Sequence, residues 1–159
     1  GMFVHKSHGI NYNLLIIGDG KEKDNLIKLA TENHIEENVW FYGECYDNNK
    51  LNALIYNSDL CVSPGNVGLT ALHAMMYGTP VLSHDDFETQ MPEYETIVPG
   101  KTGTLYKRGN FEDFCLKLES WLAENQNRDM VRNNCYAMIN GKFNSNYQIA
   151  LLKKVLLGV

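Results

Sequence analysis

Short apolar runs alternate with amphipathic stretches along most of this chain. "NLLIIG" (13–18) is a continuous apolar run closed by glycine, the pattern of a buried strand. "KEKDNLIKLATENH" (21–34) follows, with Leu26, Ile27, Leu29 and Ala30 on one helical face and charges on the other. "NVWFYG" (38–43) reads as a second buried strand. "DNNKLNALIYNS" (47–58) reads as a helix capped by Asp47, and "DLCVSP" (59–64) as a strand stopped by proline. The next helix runs from about Gly68 to Tyr77, with Gly78 as its C-cap. "TPVLSH" (79–84) and "TGTLYK" (102–107) supply a fourth and a fifth strand. From Asn110 onward the pattern is helical: Phe111, Phe114, Cys115, Leu118, Trp121 and Leu122 recur at helical spacing behind an Asn110 cap. Two further helices follow over about 128–140 and 144–157.

Strands alternating with helices predict a doubly wound α/β fold, a Rossmann-like parallel sheet covered on both faces. The chain reads as a single domain over 1–159, with residues 1–12 a tail or partial strand and residues 110–159 a helical C-terminal part. Sheets of this kind bind ligands beyond the carboxyl ends of their strands. Three strand ends carry suitable loops, "GDGKEK", "GECYD" and "SPGNVG", and the topology predicts them on one edge.

Composition narrows the chemistry. The 159 residues are 44% hydrophobic and 21% charged, with a net charge of −5. A binder of nucleic acid or of an anionic membrane would carry a basic stripe, so both are disfavoured. A single phosphorylated small molecule is not, because it needs only a local site. Cys45, Cys61, Cys115 and Cys135 are widely spaced and form no C-x-x-C pair, which reads as four buried free thiols in a reducing cytoplasm and not as a zinc site. No run is long and apolar enough to span a membrane.

"SPGNVGLT" (63–70) is the most informative loop. Pro64 halts a strand, and Gly65 and Gly68 let the backbone bend and a ligand approach. The helix behind offers the free N–H groups of Gly68, Leu69 and Thr70 at the positive end of its dipole. That is either a phosphate-sized anion site or a plain strand-to-helix turn. "GDGKEK" lacks the third glycine of a dinucleotide fingerprint, and no glycine run is followed by a P-loop lysine, so a dehydrogenase and a P-loop ATPase are both disfavoured. His73 lies on an apolar helical face with Leu69, Leu72 and Met76. Spacing alone makes it a structural histidine, or a donor to a ligand hydroxyl. "SHDDFETQMPEYETI" (83–97) is a polar loop at the same edge. Its adjacent His84, Asp85 and Asp86 are poorly placed to converge on a metal.

The ordered set "NLLIIGDGKEKDNLIKLA", "NVWFYGECYDNNKLNALIYNSDLCVSPGNVGLTALHAMMYGTPV" and "PEYETIVPGKTGTLY" resembles the C-terminal, donor-binding domain of GT-B retaining glycosyltransferases of family four (group 1), over about 13–122. The resemblance implies a nucleotide-diphosphate sugar as donor substrate, with no metal or other cofactor required. It implies that Gly43, Glu44 and Cys45, in the loop 42–46, hold the base through backbone groups. It implies that Ser63, Gly65, Asn66, Val67, Gly68, Leu69 and Thr70 approach the sugar and diphosphate. The family carries two glutamates across this loop and helix; here Gly65 and His73 stand at those positions. His73 thereby becomes the candidate for a ribose hydroxyl, and Gly65 removes the usual sugar contact. No catalytic residue is assigned.

The family's donor domain also opens with one more strand and helix, which lie mid-sheet between "NLLIIG" and "DLCVSP" and bring a basic pair. Lys21 and Lys23 do not match that pair. The expected repairs are "MFVH" (2–5) filling the slot, direct pairing of the flanking strands, or a second copy completing the sheet as a homodimer. The N-terminal acceptor domain is the other implied partner. The expected function is therefore donor binding in a cytoplasmic glycosyltransferase of surface-polysaccharide or glycolipid synthesis, at the membrane periphery through its other part. Without the acceptor domain it is expected to be inactive. The alternatives are a non-catalytic nucleotide-binding or assembly remnant, and a sugar-nucleotide epimerase of the same fold.

Overall fold

A computed structural model describes residues 12–124 and 127–158. The chain divides into two compact units, residues 1–53 and 54–159. Both are built from parallel strands with helical crossovers, so the α/β class expected from the alternation is the one observed.

In the first unit, β1 (Leu14–Ile17) and β2 (Val39–Gly43) pair in parallel around α1 (Lys23–Glu32). Helix α1 starts two residues later than its pattern suggests, because the Lys23 N–H closes a turn onto the Gly20 carbonyl at 3.0 Å. Leu14, Ile16, Val39 and Phe41 face Leu26, Leu29 and Ala30 across a small cavity. Alternation turns Trp40 and Tyr42 to the other side of the sheet, where Trp40 is 57% exposed and edge-on to Tyr42. These strands were expected to be buried on both faces. Among the described residues of this unit one helix covers one face, and only Leu14 of the two strands is fully buried.

In the second unit, β3 (Cys61–Val62), β4 (Val81–His84) and β5 (Gly103–Tyr106) form a parallel sheet with β4 at its centre. Every residue of β4 is buried. On one face Val81 packs with Ala71, Ala74 and Met75 of α3 (Leu69–Met76), and with Val131 and Cys135 of α5 (Arg128–Lys142). On the other face Leu82 packs with Tyr106 and with Phe114 of α4 (Phe111–Glu124). The helix caps were legible in the sequence. Asp47 accepts from the Asn49 N–H at 2.9 Å at the start of α2 (Asn48–Tyr56), and Asn110 accepts from the Asp113 N–H at 3.0 Å. Gly78, at φ +76°, closes α3, and a Cβ there would meet Arg132 at 2.7 Å.

The end of α2 is satisfied from a distance. Thr79 donates to the Ile55 carbonyl at 2.6 Å, and Arg132 to the Tyr56 carbonyl at 2.7 Å, with its guanidinium 3.8 Å from the Tyr56 ring centre. Arg128 adds a 3.1 Å ion pair to Asp59. The last helix, α6 (Ser145–Leu157), contains no buried residue.

Among the described residues the ladders are β1–β2 in the first unit and β3–β4–β5 in the second. β3 is only two residues long before Pro64 ends it, and its amide hydrogen bonds go to the β4 side, from Cys61 to Pro80 and from Ser63 to Leu82. The segment Met2–His5 lies outside the described residues. The expectation of four buried thiols is corrected. Cys135 is, and its pKa is pushed up to about 12 by burial, whereas Cys45, Cys61 and Cys115 are half-exposed.

The β4–β5 contact gives a sharp test of this core. A Cβ on Gly103 would fall 1.9 Å from the Val81 carbonyl oxygen, an overlap that only backbone movement can relieve. Gly103→Ala should lower stability in urea denaturation by at least about 3 kcal/mol, at the upper end for core overpacking. Gly141→Ala, in open space on α5, should raise it by about 0.5–1 kcal/mol. Equal effects of the two changes would show that β4 and β5 are not packed this closely.

Candidate functional site

The loop between β3 and α3 is the best-defined feature at the carboxyl ends of the second unit's strands. Gly68 is the N-cap of α3 and offers no side chain to cap it. Among the described residues nothing accepts from the N–H groups of Gly68, Leu69 and Thr70. These three donors and the helix dipole make the first turn attractive to an anion.

Three acceptors of the same loop are occupied. The Tyr106 hydroxyl donates to the Pro64 carbonyl at 2.9 Å, and the Ser83 hydroxyl reaches the Gly65 carbonyl at 3.4 Å. His84 Nε2 lies 3.3 Å from Asn66 Oδ1. Gln90 ties the arrangement together: its carbonyl oxygen accepts from the Val67 N–H at 2.7 Å, while its amide donates to Ser83 Oγ at 2.9 Å and to the His84 carbonyl at 3.0 Å. Gln90, Ser83, His84 and Tyr106 were not among the residues expected at the site. Gln90 lies in the polar segment that reads as loop, and nothing in its local pattern signals a link to a residue 23 positions earlier.

The expected residues divide accordingly. Gly65, Asn66, Leu69 and Thr70 are exposed on the loop and first turn, and Ser63 and Gly68 are half-buried. Val67 points the other way: its side chain is fully buried in the core and its N–H is taken by Gln90. The apolar face read on α3 is also rotated. Ala71, Ala74 and Met75 enter the core, while Leu69 is 71% and Met76 56% exposed. His73 shares the outer side with Leu69 and Met76. It is half-exposed with its ring edge-on to Tyr77 at 5.4 Å, and so is not the core histidine that spacing alone suggests.

In the first unit, Gly43 adopts φ +82°, a left-handed conformation suited to glycine, and its carbonyl accepts from the Gly18 N–H at 2.8 Å. Glu44 accepts from the Tyr46 hydroxyl at 2.8 Å, and the Cys45 thiol lies 3.6 Å from the Asp47 carbonyl.

After β4, the segment 85–89 is organised by Arg108. Its guanidinium donates to Asp86 at 2.6 Å and to Thr89 Oγ1 at 2.9 Å, and its N–H donates to Asp85 at 3.1 Å. The hydrogen bond from Arg108 holds the Asp86 carboxyl below its usual range. His84 is 1% exposed. Burial lowers its pKa first, and Arg108 adds to that against the opposing pull of Asp86 and Asp85. Among the described residues no group of histidines, cysteines and carboxylates could hold a metal ion.

The family model for glycosyl transferases group 1 matches residues 4–138. The lipopolysaccharide core biosynthesis glycosyltransferase LpsE of Rhizobium meliloti (strain 1021) is 28% identical over 130 residues, covering 82% of this chain and 37% of that protein. Among solved structures, the lipopolysaccharide outer core galactosyltransferase WaaB in its apo form superposes with a TM-score of 0.71 at 23% identity, over 92% of this chain and 41% of that one. HepE of Anabaena, solved in complex with UDP, gives a TM-score of 0.69 at 22% identity, over 91% and 41%. The chain has the fold of the C-terminal part of GT-B glycosyltransferases. It belongs to the glycosyl transferases group 1. It spans about two fifths of the length of these relatives.

Burial of His84 predicts a pH-dependent stability for this unit. Its folded pKa lies below the ordinary 6.5, so on acidification the unfolded chain takes up the proton first. Its contribution is complete above about pH 6.5 and is lost as the pH falls from there through the folded pKa. Urea denaturation at about pH 7.5 and about pH 5.5 should show a smaller acid loss in His84→Gln than in the parent chain. The same pH dependence in both would place its origin elsewhere.

Proposed function

We propose that this chain forms the donor-binding part of a retaining glycosyltransferase of surface-polysaccharide or lipopolysaccharide synthesis. The reaction moves a sugar from a nucleotide-diphosphate sugar to an acceptor hydroxyl. One observation carries the reading: the first turn of α3 presents uncapped N–H donors behind a loop whose Pro64 and Gly65 carbonyls and Asn66 Oδ1 are already engaged. In sugar transfer the leaving diphosphate gathers negative charge, and fixed N–H dipoles stabilise it without reorganising. Family membership and the UDP complex of HepE support the same reading. The acceptor side belongs, in this proposal, to the remaining three fifths of the relatives' length.

Residue by residue, Gly65, Asn66, Gly68, Leu69 and Thr70 take the diphosphate and the adjoining sugar, and His73 takes a ribose hydroxyl from the outer side of α3. Val67 supports the loop from the core. For Gly43, Glu44 and Cys45 the proposal is contact with the base through backbone groups, as the family resemblance implies. A second reading, a non-catalytic nucleotide-binding module, is favoured by one specific feature: Gly65 and His73 stand where the family carries its two carboxylates.

Titration of uridine, guanosine and adenosine diphosphates against the chain, followed by NMR and calorimetry, tests the proposal. One nucleotide should bind, with amide shifts centred on Gly65–Thr70. His73→Ala should weaken it about three- to tenfold, the loss of one hydrogen bond. Absence of binding by all three at millimolar concentration would overturn the donor-site reading. Binding without transfer once the chain is joined to an acceptor part would favour the second reading.

A further inference from the structure

The hydrogen-bond polarity around His84 can be followed atom by atom. The backbone N–H of Asp86 lies 3.3 Å from His84 Nδ1. An N–H can only donate, so Nδ1 is the acceptor and carries no proton. A neutral imidazole then has its proton on Nε2, and that N–H faces Asn66 Oδ1 at 3.3 Å. Asn66 is thereby held with its oxygen inward and its NH2 group outward. The side chain is exposed, and among the described residues no acceptor meets Nδ2.

The neighbouring groups of the loop are sorted in the same way. The Pro64 carbonyl, the Gly65 carbonyl and Asn66 Oδ1 turn toward Tyr106, Ser83 and His84. The N–H groups of Gly68, Leu69 and Thr70 and the Asn66 NH2 turn outward. No carboxylate stands between Ser63 and His73. A loop that turns these donors outward suits a ligand group that only accepts. A phosphate oxygen meets that condition. A sugar hydroxyl, which must also place its own proton, meets it less well.

We propose that His84 is a positioning residue that fixes the Asn66 amide as a donor to a phosphate oxygen of a bound nucleoside diphosphate. This rests on the donor-site reading of the same loop. His84 does not touch the ligand. It acts through Asn66, and Gln90 holds both partners in register through the Val67 N–H and the His84 carbonyl.

Two measurements on the 159-residue chain test it, with uridine diphosphate as the probe. The first needs no ligand: long-range nitrogen–proton NMR correlations of the His84 ring at neutral pH should show a protonated Nε2 and a bare Nδ1. A protonated Nδ1 would overturn the proposal. The second is calorimetry of the nucleotide on variants. Asn66→Ala should weaken binding about tenfold, as expected for one hydrogen bond to a charged acceptor. Asn66→Asp, which sets a carboxylate against the phosphate, should weaken it further. His84→Phe should match Asn66→Ala, and His84→Gln, which keeps a donor near the Nε2 position, should restore most of the affinity. Where His84→Phe does not fold, the Asn66 pair and the tautomer decide. If the parent chain binds the nucleotide and Asn66→Asp binds it as well, the contact is with a hydroxyl or is absent, and the proposal fails while the donor-site reading stands. If the parent chain binds no nucleoside diphosphate, both fail together.

Discussion

Strand β4 has no free face, and the second unit is arranged around that constraint. A strand buried on both sides needs apolar cover from two layers, and α3 with α5 on one side and α4 on the other provide it. Burial continues to the end of the strand, where the residues are no longer apolar. Ser83 and His84 are as deeply buried as Val81 and Leu82. Polar groups in such a position must be hydrogen-bonded, and the partners within reach belong to the β3–α3 loop, to Gln90 and to the Asp86 N–H. The shape of the candidate site thus follows from the need to satisfy the end of a core strand.

That coupling explains what could and could not be read from the sequence. The strands, the order of elements, the Asp47 and Asn110 caps and the closing role of Gly78 are local. Each rests on periodicity or on one residue's conformational preference, and each was legible. The loop 63–70 announced itself in the same way, through proline and glycine. Its supporting groups did not. Gln90 joins Val67 across 23 positions, and Tyr106 joins Pro64 across 42. Nothing in a polar segment shows which of its side chains will turn inward.

The errors about burial share a cause. The apolar pattern of α3 allowed two faces, and the one that enters the core carries Ala71, Ala74 and Met75. Leu69 and Met76 were left outside, and His73 with them. Reading β1 and β2 as doubly buried assumed two covering layers, whereas α1 supplies one to that unit. A hydrophobic run in a sequence establishes compatibility with burial; which side is covered depends on neighbours that the run does not encode.

The absence of ionic groups from the loop bears on kinetics. Between Ser63 and His73 there is no lysine or arginine, and the chain as a whole carries a net charge of −5. A phosphorylated ligand would feel no long-range pull toward these N–H groups, whose dipolar fields fade within a few ångströms, and the overall charge would oppose its approach. Such a cradle discriminates at contact. Its encounter rate would rise with ionic strength as that repulsion is screened, and selectivity would be expressed in how long a ligand stays once it has arrived.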